Sequence, residues 1–240
     1  MLYLIGVDDS DSPKSPSTGD LVRQLAELLQ LERLAAPQGV TRHQLLVNKH
    51  IRYTAHNSAM CVSITTEDME AVWETARDFL SLESERSSNA GLCLCQWDAV
   101  NRDVIAWGRR AKEELLTAEA AQQSAARSSV RMAAIKGLGI GVIGALAAVG
   151  LHREGNDGRF VWLPGLFELQ GSCSVEDIFE RSGIDRICTL EEVELPIGEA
   201  VEISPWTRPL LRNGQATLFV ERKKRGWVVL NKEQLKDLSN

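Results

Sequence analysis

The sequence has no paired CxxC spacing, no apolar run long enough to cross a bilayer, no internal repeat and no surplus of positive charge. Its five cysteines (Cys61, Cys93, Cys95, Cys173, Cys188) are odd in number and scattered, which excludes a disulfide framework and a structural zinc site and fits a reducing cytoplasm. The longest apolar stretch, Gly137 to Leu151, is short of the roughly 20 residues a membrane helix needs. The apolar start, Met1 to Val7, is too short for a signal-peptide core. These features predict a soluble cytoplasmic protein with no membrane partner. With 27 Lys and Arg against 33 Asp and Glu, the net charge of −6 excludes a protein whose whole surface grips nucleic acid, leaving only a local basic groove. The four histidines lack metal-ligand spacing, and no Ser-His-Asp or Cys-His arrangement is evident.

What is present is a run of elements that 240 residues can fold as one large domain or two modest ones. Leu2 to Val7 reads as a strand, and the proline- and serine-rich segment Asp8 to Ser17 as a loop. Leu21, Val22, Leu25, Leu28 and Leu29 then share one helical face, with Ser17 and Asp20 spaced as a capping box. That order puts the acidic loop at the carboxyl end of a strand, where α/β sheets bind ligands. Further strands are predicted over 44–47, 59–65, 92–97 and 160–163, and helices over 67–82, 104–116 and 118–131. Residues 137–144 read as a glycine loop feeding a helix over 145–149. Near the end, 216–220 and 227–230 flank the basic turn Arg222 to Arg225 as a β-hairpin. Residues 191–240 carry eight charges of each sign, so the negative excess lies in 1–190. The expectation is an α/β (α+β) unit over 1–190 followed by a small β appendage over 191–240.

Two loops carry the chemistry. Asp8, Asp9 and Asp11, interleaved with Ser10 and Ser12, repel one another unless a cation sits among them, and such oxygens suit Mg²⁺ beside nucleotide phosphates. The alternative is a solvated acidic turn. Gly139 to Gly144 satisfies GxGxxG, with Gly137 just before it. A dinucleotide fold would need a clean strand ahead of it and an acid about 20 residues on, and both are missing. Phosphate binding of another kind and close helix packing at glycine both stay open. Two basic sets could neutralise an anion: Arg109, Arg110 and Lys112 on one helix, and Arg42, Lys49, Arg52, His56 and Asn57 along one connection.

Three segments in order resemble one family. Ile5-Gly-Val-Asp-Asp-Ser-Asp-Ser12, followed by Ser17-Thr18, is similar to the opening motif of the archaeal 2-agmatinylcytidine synthetases that modify an isoleucine tRNA. Gly141 to Gly150 is similar to that family's glycine loop and helix, and Arg42, Asn48, Ile51, Thr54 and Asn57 follow its middle motif loosely. The resemblance implies a kinase-like α/β unit with a ferredoxin-like subdomain at about 58–130. It further implies ATP used to phosphorylate a cytidine carbonyl before agmatine displaces the phosphate. By that likeness Asp8, Asp9 and Asp11 would hold Mg²⁺ with ATP, and Thr18 would occupy the place of a phosphorylated threonine. Ser10, Ser12, Gly137, Gly139, Gly141, Gly144, Arg42, Asn57, Arg109 and Arg110 would then contact the nucleotide. The middle motif here reads Tyr53-Thr54-Ala55-His56-Asn57, less basic than the family's, and no counterpart of its OB-fold or zinc ribbon is visible. The sequence therefore predicts a stand-alone, Mg²⁺- and ATP-dependent phosphotransfer enzyme with an unidentified acceptor. Its alternatives are a nucleotide-binding regulator without turnover and a tRNA-modification factor that works with a partner through Arg222–Arg225. The oligomeric state stays open.

Overall fold

The computed structural model describes residues 1–12, 15–51, 53, 56–224, 226–236 and 238; Arg52, Thr54 and Ala55 of the middle motif and Arg225 of the basic turn lie outside the described residues. Strand β1 (Leu2–Asp8) alternates its side chains between two apolar layers, since successive strand residues point to opposite faces. Leu4 enters a cluster with Cys61, Cys93 and Leu146, while Ile5 and Val7 enter another with Leu25, Val62 and Leu80. The chain continues through α1 (Thr18–Leu31), β2 (Ala36–Gln44), β3 (Ser58–Thr65), α2 (Met69–Glu83), β4 (Gly91–Gln96), α3 (Arg102–Glu113), α4 (Ala118–Ala126), β5 (Arg131–Ala134), α5 (Val142–Glu154) and β6 (Arg159–Trp162). β1 pairs antiparallel with β3 on one side and β4 on the other. α1 and α2 cover the Ile5 face; α3, α4 and α5 cover the Leu4 face. The protein is thus mixed α/β, with a largely antiparallel sheet. Residues 58–130 are built into it, supplying β3 and β4 on either side of β1.

Ser17 caps α1: its Oγ accepts from the Asp20 N–H at 3.2 Å and donates to the Asp20 carboxylate at 2.8 Å, a cap worth about 1 kcal/mol. Three element positions differ from expectation. The strand expected over 44–47 lies earlier, as β2, because its inward residues Thr41 and His43 are polar and their burial depends on distant partners. The helix expected to reach 131 stops at Ala126, and 131–134 forms the edge strand β5, registered on β4. α5 starts at Val142, so Gly144 lies inside the helix, and it ends at Gly155, whose left-handed φ of 84° suits only glycine comfortably.

Beyond β6 come β7 (Gly171–Ser174), α6 (Val175–Arg181), β8 (Arg186–Cys188), β9 (Ala200–Ile203), β10 (Leu210–Arg212), β11 (Gln215–Lys223), β12 (Gly226–Val229) and α7 (Lys232–Lys236). β10 joins β6 with Leu210 opposite Arg159, and the sheet runs on through β11, β12, β9 and β7. The expected terminal hairpin is β11–β12. Phe160, Leu163, Val175, Ile178 and Ile187 pack with Val201, Leu211, Leu218 and Val220. Residues on both sides of 190 therefore share one core.

Candidate functional site

The acidic loop begins where β1 ends. Gly6 and Asp8 lie on the β1 face that meets α5, and the packing there has no room for a Cβ. One on Gly6 would overlap the Ala145 carbonyl, and one on Gly144 would overlap the Asp8 carboxylate. A Cβ on Gly141 would sit 2.7 Å from the Asp8 carbonyl oxygen and 2.7 Å from Gly91 N. Close packing is therefore what Gly141 and Gly144 provide, and its result is to bring the first turn of α5 against Asp8. Gly137 and Gly139 serve differently, turning the preceding loop at φ of 59° and 68°. Burial, with the charges of Asp9 and Asp11 adding to it, pushes the Asp8 carboxyl well above the usual carboxylate range. The N-terminal dipoles of α5, which has no side-chain cap, work in the opposite sense.

Asn89 latches the two loops together. Its Nδ2 donates to Asp9 Oδ2 at 3.2 Å and its backbone N–H to the Asp9 carbonyl at 3.1 Å. Its Oδ1 accepts from Leu138 N at 2.9 Å, and its carbonyl from Gly141 N at 3.0 Å. Asp9 is held at φ 53°, a left-handed conformation that aspartate adopts more readily than most non-glycine residues. Nothing local in the sequence marks Asn89, whose partners lie 80 and 49 residues away.

These elements wall a cleft of about 510 Å³. Of the residues proposed from sequence, Asp8, Asp9, Asp11, Thr18, Arg42, Asn57, Gly141 and Gly144 line it together. Ser10 lies just behind, buried, its Oγ donating to Thr18 Oγ1 at 3.1 Å. Ser12 sits in the turn with Ser15, whose Oγ accepts its N–H at 2.7 Å. Gly137, Gly139, Arg109 and Arg110 do not line the cleft. Arg109 pairs with Glu154 and Arg110 with Glu114, both as exposed side chains on the outside of α3. Helical periodicity marks that cluster as basic but does not reveal partners that neutralise it in place.

Besides Arg23 on α1, the arginines among the described residues that line the cleft are Arg42 and two that the sequence reading missed, Arg159 and Arg208. Arg42 and Arg159 stand directly opposite each other on β2 and β6. Arg42 Nε donates to Ser58 Oγ at 2.9 Å; Arg208 lies over the Phe167 and Trp206 rings at 5.4 and 5.9 Å. Burial, then repulsion from Arg159, lowers Arg42 to about 10, with Asp11 acting in the opposite sense. Arg159 is lowered by burial, and Arg208 by burial and Arg159.

A second polar group sits deeper. Thr41 Oγ1 is 2.8 Å from His43 Nε2 and 2.8 Å from His152 Nδ1, and His43 Nδ1 is 2.8 Å from Asp157 Oδ1. Lys112 Nζ pairs with the other Asp157 oxygen. The order Thr-His-Asp matches a hydrolytic triad, but His43 and Thr41 are fully buried and off the cleft, so the group is a satisfied internal network.

The fold and site define a mixed α/β protein with an acidic loop and a helix N-terminus meeting in one cleft. Over 62% of its length the chain matches solved structures of TiaS, a tRNA agmatidine synthetase that acts on an isoleucine tRNA. The TiaS complex with that tRNA and ATP aligns with a TM-score of 0.56 at 24% identity, and the apo enzyme with 0.55 at 23%. The complex with the tRNA, AMPCPP and agmatine aligns at 0.54 and 24%. The chain spans only about a third of those proteins, 36%, 35% and 36% respectively, and the likeness is one of fold. No family model and no curated protein matches the sequence. Among the described residues no helix is long and apolar enough to cross a membrane.

Proposed function

We propose that the chain is an ATP-dependent phosphotransfer enzyme whose cleft takes the nucleotide phosphates between the acidic loop and the first turn of α5. The observation that carries this reading is the convergence of the two loops: glycine contacts seat α5 on Asp8, and Asn89 ties Asp9 to the glycine loop. A helix N-terminus favours phosphate, and the TiaS structures solved with ATP and AMPCPP support a nucleotide in this fold.

Among the described residues no three histidine, cysteine or carboxylate side chains form a set that would enclose a metal ion unaided. Magnesium is commonly held by one or two carboxylates, with waters and phosphates completing its shell, so one or two of Asp8, Asp9 and Asp11 would suffice to hold it. When bound it would supply positive charge against the transferred phosphoryl group. The chain's own contribution is positioning. Asn89 and the glycine packing fix the loops, and the α5 terminus orients phosphate oxygens. In the transfer, the bond from the γ-phosphorus to its bridging oxygen breaks, an acceptor oxygen bonds to phosphorus, and ADP leaves. Thr18 lines the same cleft, which makes its hydroxyl an acceptor alternative to a second substrate.

The test is calorimetry with AMPCPP and magnesium chloride on the intact chain. Wild type should bind, and the double variant Asp9→Ala, Asp11→Ala should bind at least tenfold more weakly. Undiminished binding by the double variant would remove the assignment.

A further inference from the structure

We infer that Arg42, Arg159 and Arg208 form a second anion subsite, which takes the phosphate of a mononucleotide-sized acceptor apart from the ATP phosphates. The inference rests on the phosphotransfer reading for the word acceptor, but its geometry stands independently. Like charges directly opposite on paired strands destabilise a sheet, yet Arg42 and Arg159 are registered Cα to Cα on β2 and β6. Among the described residues no carboxylate comes within ion-pair distance of either, or of Arg208, although Arg23, Arg77, Arg109, Arg110, Arg131 and Arg186 all have such partners. All three residues are half-buried and line the one cleft. A protein keeps three partly desolvated, mutually repelling cations together where an anion completes them, and guanidinium forks match phosphate oxygens.

Their order in space sets the ligand's size and kind. Arg42 is the member that feels Asp11, Arg159 stands next to it, and Arg208 feels Arg159 and rests on Phe167 and Trp206. The array thus leads away from the acidic loop to two aromatic rings at the cleft rim. A phosphate on the arginines with a base stacked at the rings makes a nucleoside monophosphate the fitting occupant, its phosphate end lying toward Asp11. The chain's net charge of −6 favours a mononucleotide over a polynucleotide, which needs an extended basic track.

The experiment titrates AMP, CMP, GMP and UMP separately into the intact chain, by calorimetry, with and without saturating AMPCPP and magnesium. At least one monophosphate should bind in both conditions. Arg159→Gln and Arg208→Ala should each weaken it tenfold or more while leaving the AMPCPP affinity within threefold. Arg159→Gln should also keep or raise the ligand-free melting temperature, because it removes the cross-strand repulsion; a purely structural role would lower it. The inference is overturned if none of the four binds at millimolar concentration, if AMPCPP displaces them, or if the variants weaken AMPCPP equally. It is also overturned if a tRNA binds and no monophosphate does. Arginine-dependent monophosphate binding without any AMPCPP binding would leave the subsite standing and remove the phosphotransfer reading.

Discussion

Gly144 and Asp8 show how a single missing methyl group builds the site. The carboxylate occupies the space a Cβ would fill, at the end of α5 where peptide dipoles favour negative charge. Gly144→Ala must therefore shift either α5 or Asp8, and displacement in a packed interior typically costs about 1–3 kcal/mol. Urea denaturation should show that loss, and calorimetry a parallel loss of AMPCPP affinity. Gly198→Ala, where a new Cβ meets nothing within 4 Å, should leave both unchanged. If Gly144→Ala matches Gly198→Ala in both measurements, the helix does not position the carboxylate. The acids were legible in the sequence because charge clustering is local: three carboxylates within four residues already demand an explanation. Asn89, Arg159 and Arg208 were not, since each acquires its role only from groups distant in the chain.

At the scale of elements, α5 and β2 depend on a polar pair inside an otherwise apolar layer. His152 on α5 is buried among Thr41, the His43 ring and Trp97, with ring centroids 6.1 Å apart in each case. Burial first, and His43 second, lowers its pKa to about 3, so it is neutral in the folded protein at every ordinary pH. In the unfolded chain a histidine titrates near 6.5. Between those values the unfolded state binds the extra proton, so this contribution is complete above about pH 6.5 and declines as pH falls toward 3. Asp157 adds to the acid end: burial alone would raise its pKa, but bonds from His43 and Lys112 outweigh that and lower it, so its support is lost as pH falls through its folded value. Urea titrations from pH 6 to 4.5 should give stability falling by about 1.4 kcal/mol per pH unit from one such proton. His152→Asn should flatten that slope; an equal slope in the variant would show that other groups set it. The same network explains why β2 was misplaced by sequence reading. Thr41 and His43 look like loop residues until His152 and Asp157 are seen to satisfy them, whereas α1 and α2 announced themselves by apolar spacing and caps.

At the scale of the molecule, the cleft draws on chain from both sides of β6. Asp8 to Asp11, Arg42 and the α5 turn come from one side, and Phe167, Trp206 and Arg208 from beyond β6. Charge arithmetic and motif style suggested a neutral appendage after residue 190, because composition records neither strand pairing nor shared burial. The packing makes a forecast for a chain cut there. A 1–190 fragment would leave Phe160, Leu163, Val175, Ile178 and Ile187 without Val201, Leu211, Leu218 and Val220. Each lost side-chain contact of that kind is worth about 1.5–3 kcal/mol, and four of them approach the roughly 5–15 kcal/mol that holds a typical domain folded. The fragment should bind a dye specific for exposed apolar surface, and limited proteolysis should cut it rapidly between 163 and 190 while the β1–α5 region resists. It should also lose the arginine and aromatic wall that Arg208, Trp206 and their neighbours provide. A dye-silent fragment, protease-resistant through residue 190, would instead establish that 191–240 is an independent appendage and that the core across that line contributes little.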